Sequence, residues 1–136
     1  MKFTGAIEFS ILEHSAECVV GAMPVQSGIL NPFGVLHAGA MLWFADVCAT
    51  ALVAGITEFL PAAASLPLGI NLNANLTGTQ QNGTLQATSQ FVKRGRRLSV
   101  VRTRIIGEGG QLIAEVTTSH IPAQEASEPG VSEKSK

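Results

Sequence analysis

Two hydrophobic patterns divide this chain. Across residues 38–56 almost every position is apolar, and Asp46 and Thr50 are the only residues with strongly polar side chains. A run of that length predicts a helix of roughly 28 Å at about 1.5 Å per residue. Apolar positions lie on all its sides, the mark of a buried helix rather than a surface one. Asp46 and Thr50, four positions apart, share one face of it. Further along, the period changes to two. Leu66, Leu68, Ile70, Leu72, Ala74 and Leu76 alternate with Pro67, Gly69, Asn71, Asn73 and Asn75, which predicts a long strand with one apolar face. Residues 84–92, 98–106 and 111–121 read as three more strands. Between them lie turn-forming or charged segments at 78–83, 93–97 and 107–110.

Ahead of the helix, residues 14–25 alternate and predict a strand, and residues 3–13 are weakly amphipathic and suggest a short N-terminal helix. Residues 26–36 carry Gly28, Asn31, Pro32 and Gly34, turn formers that make a loop leading into the central helix. Pro61 bars the helix from continuing through 55–64. The order is short helix, strand, loop, long helix, four strands. It predicts an α+β fold in which an antiparallel sheet, its neighbours joined by short turns, wraps around one long central helix. That helix would keep one side uncovered, and a partner subunit is a suitable cover. The domain is expected at 1–121, with a disordered tail at 122–136 that has a single large aliphatic residue.

Composition narrows the picture. The 136 residues suit one domain, and 46% hydrophobic content supports a real core. A membrane span is the competing reading of the apolar run, but Asp46 near its middle would cost about 2.5–3.5 kcal/mol in lipid, and no basic cluster flanks the run. The formal net charge of −1 gives no field to recruit nucleic acid or membrane, and the absence of tyrosine leaves few rings to stack on bases. Cys18 and Cys48 lack metal-ligand spacing and read as two thiols of a reducing compartment. The N-terminus lacks a signal-peptide pattern, so the expected location is cytoplasmic.

The entry to the helix, Asn31-Pro32-Phe33-Gly34-Val35-Leu36-His37-Ala38-Gly39, followed by Asp46 nine residues after the histidine and Thr50 four later, resembles the hotdog-fold acyl-CoA thioesterases. More narrowly it is similar to their phenylacetate-pathway-type and 4-hydroxybenzoyl-CoA-type branch. Family members more often have two glycines after the histidine; here the first is Ala38, which still supplies a backbone N–H. The resemblance implies hydrolysis of a small aryl or medium-chain acyl-CoA to the acid and free CoA. No metal or separate cofactor is implied, since CoA is part of the substrate. It also implies a site shared across a homodimer, with a homotetramer as the expected assembly.

Within that reading, the N–H groups of Ala38 and Gly39, at the positive end of the helix, are candidates to polarise the thioester carbonyl. Asp46 has no lysine or arginine within a helical turn and is the candidate general base or nucleophile; the bland alternative is a structural aspartate. The eight residues from Ala38 to Asp46 span about 12 Å of helix, too far for both to hold one carbonyl. Asn31 orients the water or the carbonyl, or serves only the turn. Thr50 bonds Asp46 or a water, or bonds back to its own helix. His37 suits an orienting hydrogen bond, and His14 and His120 read as structural or solvated.

Phe33, Met41 and Trp43 are candidates to line the acyl group. Lys93, Arg94, Arg96 and Arg97 put four of the nine basic residues in five positions, an anion patch for the phosphates of CoA or a merely solvated hairpin. Two rival functions remain: a hotdog hydratase or dehydratase, which needs a histidine–carboxylate pair, and a non-catalytic acyl-CoA-binding module.

Overall fold

The inward-facing residues of five strands curl around one side of the central helix. The computed structural model describes residues 1–55 and 66–122. Its elements run β1 (Ser10–His14), β2 (Cys18–Pro24), a 3-10 turn (Ser27–Ile29), α1 (Ala38–Ala54), β3 (Leu68–Leu76), β4 (Thr84–Lys93), β5 (Ser99–Ile106) and β6 (Leu112–Ile121). All pairings are antiparallel and the six-stranded sheet has the order β1-β2-β4-β5-β6-β3. This is the α+β hotdog arrangement of one long helix on an antiparallel sheet.

Three local expectations are corrected. Residues 3–13 form no helix; Ser10–His14 instead pairs with β2 as an edge strand, because the weak amphipathic signal yields to a backbone partner. The helix has 17 residues and stops at Ala54, where Gly55 takes a left-handed conformation (φ 75°) and returns its N–H to the Ala51 carbonyl. The segment 78–83 does not join neighbouring strands: β3 lies at the far edge beside β6, and β4 pairs with β2 and β5. The chain continuing from β3 follows β6, with the N–H groups of Thr77 and Gly78 both donating to the Ile113 carbonyl. Beyond Gly55, the closing segment expected at 55–64 lies outside the described residues, as does the tail from 123 onward.

α1 buries one face: Ala40, Met41, Phe44, Ala45, Cys48, Ala49, Ala51 and Leu52. These pack with Val19, Met23, Leu85, Ala87, Val101, Ile105 and Val116 from the strands. The larger of these, the buried Met, Phe, Leu, Ile and Val side chains, contribute roughly 1.5–3 kcal/mol each. Two polar side chains inside the sheet satisfy each other, Ser89 Oγ and Thr103 Oγ1 lying 2.6 Å apart across β4 and β5. The opposite face of the helix, with Leu42, Trp43, Asp46 and Thr50, is only partly covered, so the helix is not buried on all sides within one chain. Among the described residues no helix is long and apolar enough to cross a membrane.

β3 departs from its expected single apolar face. A bulge between Gly69 and Asn71 inserts one residue. Past it, Leu72, Ala74 and Leu76 lie opposite Thr118, Val116 and Ala114, buried residues of β6; before it, Gly69 rather than Leu68 lies opposite the buried His120. A bulge switches the parity of the strand in this way, and here it leaves a glycine facing α1.

The seating of α1 depends on Gly21 of β2. A Cβ there would stand 2.8 Å from Cys48 Sγ and 3.0 Å from Phe44 Cε1. Gly21→Ala is therefore expected to destabilise the protein by about 1–3 kcal/mol through overpacking. Urea unfolding measures this, and an unchanged midpoint would show that the helix does not need so close an approach.

Candidate active site

The loop before α1 is built around Asn31. Its Oδ1 accepts hydrogen bonds from the N–H groups of Phe33 (2.8 Å) and Val35 (3.0 Å). Its main chain closes the same turn, with Gly34 N–H donating to the Asn31 carbonyl at 2.9 Å. The oxygen of this side chain thus serves turn chemistry, and its NH₂ end is the part left for a ligand. His37 N–H then anchors to the Ile29 carbonyl at 2.8 Å, and the helix begins. No side chain caps that start. The N–H groups of Ala38, Gly39 and Ala40 are too early in the helix to have an intrahelical acceptor. His37, Gly39 and Ala40 line a cleft of about 370 Å³ together with Phe3, Ile7 and Gly28.

Asp46 opens elsewhere. With Leu42 and Trp43 from α1 and Gly69, Ile70, Asn71 and Leu72 from β3 it lines a separate cleft of about 430 Å³. Burial pushes its carboxyl above the ordinary carboxylate range, and the neighbouring His120 partly offsets that rise. Trp43 stands at the rim, its ring edge-on to Phe9 at 4.9 Å. Thr50 follows one turn later on the same half-buried face. Of the other expected acyl contacts, Met41 is buried in the core and lines no part of this cleft, and Phe33 is 85% exposed on the entry loop. One chain therefore brings together Asp46 and Trp43 but keeps the helix start and the carboxylate in different clefts.

His120, which from the sequence reads as structural or solvated, is placed beside Asp46. It is 1% exposed, and its ring faces Asp46 across Gly69. No local signal marks it, because the neighbourhood depends on β6 pairing with β3, a contact between strands distant in sequence.

The basic turn between β4 and β5 is less free than its composition implies. Arg94 donates to the Ala16 carbonyl, pairs with Glu17 at 3.6 Å and lies over the Phe91 ring at 4.3 Å. Lys93, Arg96 and Arg97 are exposed. Arg94 and Arg96 border a cavity of about 310 Å³ that His120 also touches. Neither cysteine is poised as a nucleophile: burial pushes the Cys48 thiol up to about 12, and burial with the nearby Glu13 raises Cys18. Among the described residues no group of three or more His, Cys, Asp or Glu is placed to hold a metal ion.

Comparison with known proteins agrees with this architecture. The family model described as "Thioesterase superfamily" matches residues 33–114. ComA2 of Bacillus subtilis (strain 168), provisionally named an esterase, is 33% identical over 108 residues, which is 79% of this chain and 83% of that protein. The thioesterase SAV0944 of Staphylococcus aureus superposes with a TM-score of 0.77 at 27% identity, covering 85% of this chain and 93% of that one; it has been solved as a glutamine-to-alanine variant and as a glutamate-to-alanine variant. At 18% identity, and so for the fold alone, smu.793 of Streptococcus mutans bound to acetyl-CoA superposes with a TM-score of 0.75, covering 87% of this chain and 90% of that one. With the family model spanning more than half of its length, the chain belongs to the thioesterase superfamily and is a hotdog-fold thioester hydrolase.

Proposed function

We propose that the protein hydrolyses a small aryl or medium-chain acyl-CoA, as the branch that its helix-entry motif resembles implies, with Asp46 at the reacting carbon. The observation that carries this reading is a half-buried carboxylate, held above its ordinary range by burial, opening on a mostly apolar cleft. A carboxylate whose pKa is raised is a stronger base. As general base, Asp46 takes a proton from water as the water oxygen bonds to the carbonyl carbon. The resulting oxyanion is held by N–H groups at a helix start. The carbon–sulfur bond then breaks, and the thiolate of CoA takes up the proton. As nucleophile, Asp46 would instead bond to the acyl carbon as the carbon–sulfur bond breaks and CoA leaves as thiolate. Water then opens the anhydride, freeing the acid and the Asp46 carboxylate, and the water's spare proton goes to the thiolate.

Two further points support the reading. The two substituted positions of the S. aureus thioesterase, a glutamine and a glutamate, lie fifteen residues apart, the same separation as Asn31 and Asp46. Asn31 keeps its NH₂ free to donate, as a shorter carboxamide would. The hydratase alternative is less well served, since the histidine nearest Asp46 is buried behind Gly69 rather than presented to a substrate.

The site is completed by a second copy of the chain. The cleft at the helix start and the cleft at Asp46 are separate in one subunit, and about 12 Å of helix lies between Ala38 and Asp46. β3 is an edge strand with Leu68, Ile70, Leu72 and Leu76 exposed, next to the open face of α1. Such an edge is a pairing surface unless something covers it. A two-fold contact through β3 and that face joins one subunit's helix start to its partner's carboxylate, and two such dimers make the tetramer. Arg96, Arg97 and Lys93 are left to meet the CoA phosphates.

Asp46→Asn is expected to lower turnover of acyl-CoA esters by at least roughly a hundredfold. Its fold is expected to survive. A carboxyl whose folded pKa is raised lends stability at acid pH that is lost as pH rises through that pKa, and the neutral Asn escapes the loss. Thiol release measured with a colorimetric reagent decides the matter, and a variant that turns over normally sinks the assignment. Leu72→Arg on β3 is expected to give a monomer without activity; a fully active monomer by light scattering would contradict the shared site. Arg96→Ala with Arg97→Ala is expected to raise KM for CoA esters by roughly tenfold, the scale of a charge-assisted contact. A thioester lacking the nucleotide should show no such change, and an equal loss on both substrates would remove the phosphate role.

A further inference from the structure

Among the described residues, His120 carries the one buried side-chain polar atom left without a hydrogen-bond partner, its Nδ1. The residue as a whole is 1% exposed. Orphaned buried nitrogens of this kind are uncommon and call for a physical account. Its other nitrogen, Nε2, lies 2.8 Å from Thr118 Oγ1. The unpartnered edge of the ring points at Gly69. A Cβ built on Gly69 would stand 3.8 Å from His120 Nδ1 and 3.6 Å from Asp46 Oδ1, and its other near contact, His120 Cε1, is at 3.9 Å. The side chain missing at Gly69 thus leaves a gap with the carboxylate on one wall and the orphaned nitrogen on the other. The bulge in β3 is what places a glycine there.

We propose that His120 is a positioning residue for Asp46: its Nδ1–H donates, through one water seated at Gly69, to the Asp46 carboxylate, while its Nε2 accepts from Thr118. A small space between two polar groups is the setting in which a buried water forms a bridge. The Thr118 hydroxyl, by donating to Nε2, fixes the proton on the nitrogen that faces Asp46. The donor holds the carboxylate ionised and oriented while the ring remains neutral. The direction of the charge coupling agrees: His120 lowers the Asp46 pKa against its burial, and burial keeps His120 itself below the ordinary range.

Other groups near the ring are few. α1 presents Asp46, and the turn after β4 presents Arg94 and Arg96, which border the same cavity as His120. β3 and β5 present the uncharged Gly69 and Ser99 opposite His120. This inference rests on the reading of Asp46 as the reacting carboxylate for its kinetic consequence, but not for the link between the two side chains.

The test therefore has a kinetic arm and a spectroscopic one. In the pH dependence of kcat/KM, the acid limb reports protonation of Asp46. His120→Phe withdraws the donor, so the carboxylate binds its proton more tightly and the limb moves to higher pH, by roughly one unit. Gly69→Ala fills the gap and keeps both side chains. Its new methyl meets its nearest neighbours at ordinary contact distances, so this variant folds even if His120→Phe does not. It should move the limb in the same direction, and the double variant should move it no further than His120→Phe alone.

Independently, nitrogen chemical shifts of the His120 ring in the purified protein should show the proton on Nδ1. In Asp46→Asn the pKa of that ring should fall, because the charge that raises it is gone. A lowered rate with an unmoved acid limb in both single variants would reduce His120 to a packing role. So would a ring protonated on Nε2, or one indifferent to Asp46→Asn. Should Asp46→Asn retain turnover while the ring still responds to it, the catalytic reading fails and the link between the residues stands.

Discussion

The close seating of α1 in the curl of the sheet is the constraint on which the rest of the structure depends. Phe44 and Cys48 approach β2 at Gly21, where even a methyl group would collide. Alanines at 40, 45, 49 and 51 let the remaining strands come near on the same side. Burial of that one face secures the helix without a side-chain cap at its start, and it also decides what is left over. Trp43, Asp46 and Thr50 lie on the less covered side of the helix, where Trp43 and Asp46 share a cleft with the edge strand β3. The open face is therefore a consequence of the packing, and the polar residues on it occupy the only side of the helix where a carboxylate escapes full burial.

The strands after β3 were legible because alternation survives wherever one face packs and the other meets water. Val101, Thr103 and Ile105 face inward, while Arg102 and Arg104 face out. What alternation does not reveal is which strand pairs with which. The turn formers Gly78 to Gly83 signal a reversal equally well whether the next strand lies alongside or across the sheet, and here Thr84 opens a strand that pairs with β2. β1 was missed for a related reason. Its residues have no strong period of their own and become a strand through hydrogen bonds to Gly21 and Ala22 of β2.

The candidate site divides along the same line. Asn31, His37, Ala38, Gly39 and Asp46 were legible because a tight loop followed by a helix converts spacing into geometry directly. Asp46 and Thr50 must share a face if the segment is helical at all. Met41 and Trp43, only two residues apart, show the limit of that argument: composition made both plausible acyl contacts, and the rotation of the helix about its axis sends one into the core and the other to the cleft. His120 had no such local signature. Its place beside Asp46 follows from the β3–β6 register and from a one-residue bulge, neither of which a period-two pattern encodes.

The bulge also bears on how catalysis and assembly are related in the proposed reading. Leu72 and Leu76 lie opposite buried residues of β6 beyond it, yet both stay substantially exposed on the edge strand. A partner that covers these leucines also removes water from the cleft where Asp46 sits. Desolvation strengthens the electrostatic interactions of the carboxylate, and it raises the cost of leaving that charge unsupported. A fixed donor behind the carboxylate and a second helix start in front of it oppose that cost from two directions. On this argument the carboxylate, the glycine gap and the exposed edge strand form a single design problem. In that reading, a surface shaped only for association would have no reason to keep Asp46 beside it, and a site shaped only for catalysis would have no reason to leave β3 bare.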